Sequence, residues 1–342
     1  MLHLHSPFGR GGAGGAGPVS LPVEGDLPSF QGATEWLNSE PLTPESLRGQ
    51  VVVVSFGTYT CINWLRTLPY VRAWATKYSG HGVTVIGVQT PEFDFEGDLD
   101  NVRGAIAAME VRYPLAVDDD FAIWNAFDNK YWPALYFSDA QGRLRHHYFG
   151  EGEYEQSEHV LQALLTEAGV AGIDAALVRP EPAGIELGAD WTDLRSPENY
   201  IGYQRSEGFA SPGGLVPDER HVYTAPSSFR LNEWALSGDW LLSAVSAALA
   251  VPGGGISSRF HARDLHMVMG PVTPQTSVRF RVRLDGQLPG PAHGLDIDED
   301  GRGTVTGQRL YQLVRQPGPI VDREFEVEFL DAGVEAFVFT FG

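Results

Sequence analysis

The stretch from Val51 to Pro69 constrains the fold of this chain more than any other part of its sequence. It begins with four consecutive valines, and a β-branched apolar run of this kind predicts a buried central strand. Leu65 and Leu68 then recur at helical spacing, which predicts a helix that runs to about Ser79. Cys61 lies at the junction, so we expect it at the N-terminus of a helix that follows a central strand.

Cys61 is the only cysteine among 342 residues. It therefore excludes a disulfide within the chain, but an intermolecular or mixed disulfide remains open. The unpaired N–H groups and the dipole at a helix N-terminus favour a thiolate, so we expect the pKa of this thiol to be lowered. A thiolate is the nucleophile of disulfide exchange. The alternative is a buried, inert cysteine.

Several segments resemble one family and follow one another in its order: TYTCIN, LRTLPYVRAW, VIGVQTPEF, WNAFDNKYWPALYF and FGEGEY. They resemble the thioredoxin-fold domain of the TlpA/ResA-like proteins, specifically the DipZ type, from about Leu27 to Gly169. The resemblance implies an α/β thioredoxin-like domain with redox chemistry at Cys61. It also implies that the Trp132–Pro133 bond is cis and that Pro133 faces the cysteine.

The chain departs from this family at the active site. The family carries Cys-x-x-Cys, whereas this sequence reads Cys-Ile-Asn-Trp, so Trp64 takes the place of the resolving cysteine. Ser55 stands where the family has an aspartate, and Gly57 where it has a tryptophan. Because a large-to-small change offsets a small-to-large one, we hypothesise that Gly57 opens space for the indole of Trp64.

Two further residues are candidates for this site. Glu92 follows the predicted strand Val83–Gln89, and ligand clefts lie at the carboxyl ends of strands in α/β sheets. A carboxylate near Cys61 would raise the thiol pKa, but a solvated loop glutamate is the alternative. Thr58 fits part of the peroxiredoxin pattern Pro-x-x-x-Thr-x-x-Cys. Val54 occupies the proline position, so the match is incomplete, and a one-cysteine peroxidase is a further alternative.

The second half of the chain has a different pattern. Eight short segments between residues 229 and 341 are strand-like and are separated by turn residues, which predicts a β-sandwich of the jelly-roll type. The segments SPENYIGYQRSEGFASPGG, LNEWALSGDW and RLYQLVRQPGP resemble the C-terminal domain of DipZ-type proteins. That domain is similar to carbohydrate-binding modules and galactose-binding-like sandwiches.

The sequence therefore predicts two domains. We expect a flexible tail at residues 1–26, the thioredoxin-like domain at 27–169, a proline-containing linker at 170–190 and the jelly-roll, galactose-binding-like sandwich at 191–342. Four aromatic residues of the second half are candidates for stacking on a sugar, with core packing as the alternative: Tyr200, Tyr203, Trp234 and Trp240.

Several groups of residues resemble metal ligands, and we interpret each of them differently. Asp120 is expected to cap a helix at Phe121–Phe127. The acidic stretch Asp296–Asp300 resembles a calcium loop, but Gly307 stands where the loop requires a glutamate. The remaining groups are His3 with His5, and His261 with Asp264 and His266. We therefore predict no metal and no cofactor.

Charge and targeting signals bear on partners and compartment. A net charge of −20 disfavours nucleic acid and anionic membranes as partners. Neither a transmembrane-length apolar run nor a signal-peptide pattern occurs, so we expect the chain as written to be cytoplasmic. The alternative is an extracytoplasmic protein whose export segment lies upstream, since DipZ-type domains are usually extracytoplasmic.

These observations favour a redox-fold protein that is capable of monothiol exchange at most, through Cys61, with a protein or small-molecule thiol or disulfide. A Cys61-linked homodimer would follow from the same chemistry. The alternative is a redox-inactive module that binds a partner in the thioredoxin cleft and a glycan or protein on the sandwich.

Overall fold

The computed structural model describes residues 21–342, so the pair His3 and His5 lies outside the described residues. In the first domain, seven strands and four α-helices lie within the described range. The strands are β1 (Gly25–Asp26), β2 (Glu35–Leu37), β3 (Val51–Gly57), β4 (Val83–Gln89), β5 (Leu115–Val117), β6 (Ala134–Ser138) and β7 (Arg143–Phe149). The helices are α1 (Ile62–Tyr78), α2 (Leu99–Ala108), α3 (Ala122–Ala126) and α4 (Tyr154–Glu167).

Strand β3 lies at the centre of the sheet, whose order is β1-β7-β6-β3-β4-β5-β2. It runs parallel to β4 and antiparallel to β6. Val51 and Val53 face one apolar cluster with α1 and α4, whereas Val52 and Val54 face another on the opposite side of the sheet. Because both faces are buried, all four side chains are apolar, and each stabilises the fold by about 1.5–3 kcal/mol.

The predicted elements around the cysteine are confirmed. Strand β3 is followed by α1, which ends at Tyr78, and Cys61 directly precedes the first residue of the helix. The tail predicted for residues 1–26 is too long, however. Leu21 is already buried against the first core, and β1 pairs with β7. Residues 21–26 therefore belong to the first domain.

The second domain is antiparallel and all-β, as predicted. Its strands within the described residues are β8 (Asn199–Tyr200), β9 (Arg220–Tyr223), β10 (Trp234–Leu242), β11 (Ala247–Leu249), β12 (Gly255–Phe260), β13 (Asp264–Pro271), β14 (Val278–Leu284), β15 (Arg302–Val305), β16 (Arg309–Arg315), β17 (Arg323–Phe329) and β18 (Val334–Phe341). Strand β10 pairs with β12 at one end and with β9 and β11 at the other, so it joins two sheets. Apolar side chains of both sheets form one core.

The segment predicted as a linker, residues 170–190, lies against the first domain. The Arg72 guanidinium binds the carboxylate of Glu186 through two hydrogen bonds of 2.8 and 2.7 Å. The backbone N–H of Val178 donates to the buried carboxylate of Glu158 at 2.8 Å. Both contacts hold the segment against helices of the first domain. No helix within residues 21–342 is long and apolar enough to cross a membrane.

The two domains pack directly on one another. Phe337 of β18 lies against Phe93 and Phe95, with ring centroids 5.0 and 4.8 Å apart. The buried guanidinium of Arg66 on α1 pairs with Glu151 at 3.0 Å and donates to the carbonyl of Phe341 at 3.1 Å. The second domain is therefore fixed beside the N-terminal half of α1, where Cys61 lies.

The buried His266 of β13 makes stability depend on pH. Burial, and next the nearby charge of Arg66, lower the pKa of His266 to about 3. An unfolded histidine titrates near pH ~6.5, so the unfolded state binds a proton that the native state does not. The contribution of His266 to stability is present above pH ~6.5 and is lost as pH falls toward the folded pKa.

We predict that the variant His266→Gln is less sensitive to acid. Between pH 6.5 and 4, the wild type should lose about 3 kcal/mol more of its free energy of unfolding than the variant does. Urea denaturation of both proteins across this range measures the difference. Parallel pH profiles would show that the histidine already binds its proton in the native state.

Candidate active site

Cys61 lies in a cleft at the carboxyl end of the central strands. The backbone N–H of Cys61 donates to the carbonyl of Thr58 at 3.0 Å, which closes the turn between β3 and α1. The residue is half-buried, and its Sγ lies 3.9 Å from the carbonyl oxygen of Trp132. The Trp132–Pro133 bond is cis, as the resemblance predicted. The structure thus brings Pro133 and Cys61 to the same cleft.

Trp64 lies in the first turn of α1, three residues after Cys61, and is buried. A Cβ atom placed on Gly57 would overlap the indole ring of Trp64. The hypothesis that Gly57 makes room for this indole is therefore confirmed. The indole Nε1 is buried and has no hydrogen-bond partner among the described residues, as is also true of the Ser55 hydroxyl. Packing, rather than hydrogen bonding, fixes the indole.

The Thr58 hydroxyl is buried and accepts a hydrogen bond of 2.9 Å from the side-chain amide of Gln89. Gln89 is the last residue of β4 and lies opposite Gly57 in the register of the sheet. The contact joins the two strand ends below the cysteine. Thr58 thus holds the turn that carries Cys61, and its contact with Gln89 adds nothing to the peroxidase alternative.

Glu92 is bound by the second domain. Its side chain is 15% exposed, and its Oε1 accepts hydrogen bonds from the Tyr200 hydroxyl at 2.6 Å and from Arg205 Nη1 at 2.7 Å. The alternative that Glu92 is a solvated loop residue is therefore wrong. The guanidinium carbon of Arg205 lies 3.4 Å from the ring centroid of Tyr200, in a cation–π contact.

Glu198 completes this group, which we call the interdomain cluster: Glu92, Glu198, Tyr200 and Arg205. Glu198 Oε2 lies 3.1 Å from the same Tyr200 hydroxyl. That hydroxyl has a single hydrogen, so it cannot donate to both carboxylates at once. Surrounding protein atoms, and next the charge of Glu92, raise the pKa of Glu198 above its ordinary value. A protonated Glu198 can donate back to the hydroxyl.

The loop that carries Glu92 is shaped by a buried acid that the sequence did not indicate. Glu96 Oε2 accepts hydrogen bonds from the backbone N–H groups of Glu92 and Phe93, at 2.7 and 2.9 Å. Its other oxygen accepts one from the Thr60 hydroxyl, next to Cys61. The pKa of Glu96 is raised overall, because the effect of burial exceeds that of the hydrogen bonds from Thr60 and Phe93, which lower it. Glu96 thus ties the loop to the turn of the cysteine.

The surroundings of Cys61 oppose ionisation of its thiol. Burial, and next the charge of Glu198, raise the pKa of Cys61, and Glu92 adds to this effect. Hydrogen bonding to the backbone N–H groups of Trp64 and Asn63 lowers it, as expected at a helix N-terminus. Burial and the two carboxylates outweigh the helix, so the prediction of a lowered thiol pKa is wrong.

The four aromatic candidates for sugar stacking have separate locations. Trp234 and Trp240 are buried in the second core, and their indole N–H groups donate to the carbonyls of Glu207 and Ser237 at 3.1 and 2.7 Å. Neither indole face is available to a sugar, so core packing, the alternative to sugar stacking, applies to these two residues. Tyr203 is half-buried and donates to Asp218 at 3.0 Å, whereas Tyr200 belongs to the interdomain cluster.

The acidic and histidine groups have protein partners. The N-cap residue of α3 is Phe121, and the carboxylate that accepts from the first backbone N–H groups of the helix is that of Asp118 rather than Asp120: Ile123 and Trp124 donate to it at 2.8 and 2.9 Å. The other contacts are His261 with Asp322 and Asp193, Asp264 with Arg315, His266 with Gln312, and Asp296 with Arg309. Among residues 21–342, no group of three or more metal-ligating side chains is placed to hold an ion.

Comparison with known proteins gave matches to both domains. Residues 23–147 match the AhpC/TSA family, and residues 196–342 match the family described as thioredoxin like C-terminal domain. The chain is 32% identical over 331 residues to protein DipZ of Mycobacterium tuberculosis (strain CDC 1551 / Oshkosh). This match covers 95% of the chain but 44% of DipZ, so the chain spans less than half the length of that relative.

Two smaller proteins match part of the chain. Thiol-disulfide oxidoreductase YkuV of Bacillus subtilis (strain 168) is 30% identical over 142 residues, which cover 41% of this chain and 95% of YkuV. A solution structure of a thioredoxin-like protein in the oxidized form is 29% identical, with a TM-score of 0.39. It covers 42% of this chain and 96% of that protein.

We predict that Cys61 reacts slowly with iodoacetamide at neutral pH. Because its thiol pKa is raised, the rate should still be rising at pH values above the ~8.5 of a free cysteine. The variant Glu198→Gln removes a negative charge that acts on the thiol and should react about threefold to tenfold faster at alkaline pH. Glu207→Gln, on the same segment, is the control. A plateau of the rate below pH ~8 would contradict the raised pKa.

We also predict that Gly57 and Trp64 are energetically coupled. Trp64→Ala should cost about 3–5 kcal/mol because it leaves a cavity, and Gly57→Ala about 1–3 kcal/mol because its methyl group overlaps the indole. In the double variant the methyl group enters the vacated space, so the cost should be at least about 1 kcal/mol below the sum. Urea denaturation of the four proteins measures this coupling. An additive result would mean that the two side chains do not compete for space.

Proposed function

Because the chain belongs to the thioredoxin-fold thiol–disulfide oxidoreductases of the TlpA/ResA-like redoxin family, we propose that it exchanges disulfides by a monothiol reaction through Cys61. The observation that carries the proposal is the buried indole of Trp64, which packs on Gly57 in the position of the resolving thiol. A dithiol reaction needs a second thiol to attack the mixed disulfide, and this chain has no second cysteine.

The reaction has two steps. The Cys61 thiolate attacks one sulfur of a disulfide, so that a mixed disulfide forms and the other half leaves as a thiolate. A second thiol from solution must then attack the mixed disulfide and regenerate Cys61. The raised pKa of Cys61 makes the first step slow at neutral pH, because the thiolate is scarce. The partners are therefore a disulfide and a free thiol, of a protein or a small molecule.

A redox-inactive binding module is the second candidate. The raised pKa of the thiol and the contact of the interdomain cluster with the cleft loop favour it. In that case the sulfur would be dispensable, and Cys61→Ser would retain every partner of the wild type. Binding of a glycan by the second domain and a Cys61-linked homodimer stay predictions.

Intact-mass measurement after treatment with 2-hydroxyethyl disulfide tests the monothiol reaction. At alkaline pH the reduced protein should gain one adduct, which persists until a second thiol is added, while Cys61→Ser gains none. The variant Trp64→Cys should release its adduct without added thiol, since it restores a sulfur at the resolving position. A wild-type protein that forms no adduct at any pH would exclude monothiol exchange and leave the binding module.

A further inference from the structure

Two carboxylates lie against one hydroxyl group in the interdomain cluster. The hydroxyl oxygen of Tyr200 lies 2.6 Å from Glu92 Oε1 and 3.1 Å from Glu198 Oε2. The hydroxyl has one hydrogen, and the shorter distance places this hydrogen on Glu92. Arg205 Nη1 also binds Glu92, at 2.7 Å, whereas no ion pair among residues 21–342 includes Glu198. Glu198 is therefore the carboxylate of the cluster whose charge is not offset by an ion pair.

The two carboxylates are connected to the turn that carries the cysteine. One oxygen of Glu96 accepts a hydrogen bond from the Thr60 hydroxyl, and the other accepts from the backbone N–H of Glu92 at 2.7 Å. A single buried side chain thus bridges the residue before Cys61 and the backbone of Glu92. The charges of Glu198 and Glu92 both raise the pKa of the Cys61 thiol, and Glu198 has the larger effect. Both carboxylates therefore act on the sulfur, and Glu198 acts more strongly.

The same charge acts on any molecule that approaches the thiol. Glu198 is exposed, so a molecule in solution can come close to its carboxylate. At physiological ionic strength the charge of an exposed group acts over ~8 Å. Within this range a carboxylate attracts a cation and repels an anion, whereas it has little effect on a neutral molecule. The charge of a disulfide should therefore influence how readily it reaches Cys61.

We propose that Glu198 is a specificity-determining residue that favours disulfides with a positive charge near the S–S bond as substrates of Cys61. This inference rests on the proposed monothiol function. The second domain, which carries Glu198, thereby selects the substrate of a cysteine that lies in the first domain. Arg205 opposes this preference, because its own charge is positive and offsets that of Glu92.

The covalent step is that of the monothiol reaction. The Cys61 thiol gives its proton to solvent, and the thiolate attacks one sulfur of the cationic disulfide. The bond between Cys61 and that sulfur forms as the S–S bond breaks, and the electron pair of the broken bond stays on the leaving sulfur, which takes up a proton. Cys61 is oxidised and the released half is reduced. The positive group is unchanged, since Glu198 only attracts it.

The test compares three small disulfides on the full chain at one alkaline pH: thiocholine disulfide, which is cationic, 2-hydroxyethyl disulfide, which is neutral, and 3,3′-dithiodipropionate, which is anionic. Each rate of adduct formation is divided by the rate with N-acetylcysteinamide, an uncharged thiol, because the leaving groups differ in pKa. For the wild type, the corrected rate with the cation should exceed that with the neutral disulfide at least about threefold, and the anion should be slowest. High salt should reduce these differences.

Three variants separate the charge of Glu198 from other effects. Glu198→Gln keeps the shape of the side chain and should lower the ratio of the cationic to the neutral rate about threefold. The thiolate fraction of Cys61 also changes in this variant, but it affects both rates equally and cancels in the ratio. Arg205→Gln should raise the ratio. Glu326→Gln is the matched control, because Glu326 is exposed on β17, which pairs with β12 and β14 rather than with β8.

A positive charge near a disulfide can belong to a small molecule or to a lysine of a polypeptide. Two dimers of one short peptide, with lysine or glutamine next to its single cysteine, distinguish these sources. If the lysine dimer reacts faster and Glu198→Gln removes the difference, polypeptides share the preference. If only thiocholine disulfide is favoured, the preference belongs to small cations. Circular dichroism and urea denaturation confirm that the variants fold.

The outcomes distinguish the two proposals. If no disulfide forms an adduct, the monothiol function itself fails, and the preference fails with it. If the three corrected rates are similar in the wild type, or if Glu198→Gln and Glu326→Gln change the ratio equally, the monothiol function stands and the role of Glu198 in selecting cationic disulfides is overturned.

Discussion

The contact of Phe337 with Phe93 and Phe95 holds the functional part of this protein together. The two phenylalanines of the first domain lie in the loop after β4, beside the cleft of Cys61, whereas Phe337 comes from the last strand of the second domain. Burying aromatic surface between the domains is favourable and leaves little freedom for their relative movement. The loop is thereby ordered, and Tyr200 and Arg205 are brought within hydrogen-bonding distance of Glu92.

The polar contacts of the cleft depend on this apolar packing. A pair such as Arg205 with Glu92, in which the arginine is about half exposed, contributes little free energy by itself, because solvent screens the charge of the guanidinium. Once the domains are fixed, however, the same pair orients the tyrosine and determines which charges act on the thiol. Burial and the two carboxylates then raise the pKa of the thiol by more than the backbone N–H groups at the start of α1 lower it, so the thiol stays protonated at neutral pH.

Some features of the site can be predicted from the local sequence and others cannot, as the replacement of the resolving cysteine and the capping of α3 show. The exchange of a large and a small side chain at Trp64 and Gly57 could be inferred, because the strand end and the first helical turn adjoin in this fold. The carboxylate that caps α3 could not be assigned correctly, because Asp118 and Asp120 are both compatible with the pattern and only the path of the turn selects Asp118. Trp234 and Trp240 likewise occupy strand positions whose inward direction depends on register.

The sequence by itself determined the two domain types, the position of Cys61 before a helix, and the absence of a second cysteine. The type of the first domain follows from the resemblance of several segments to a known family, whereas the all-β second domain, the position of Cys61 and the lack of a second thiol follow from hydrophobic pattern or residue identity. Only the tertiary structure decided the state of the thiol and the neighbours of Glu92. Tyr200 is 108 residues from Glu92 in the chain, and no local pattern encodes a contact between residues so far apart. Burial and charge act through space, so the ionisation of Cys61 is a property of the folded protein.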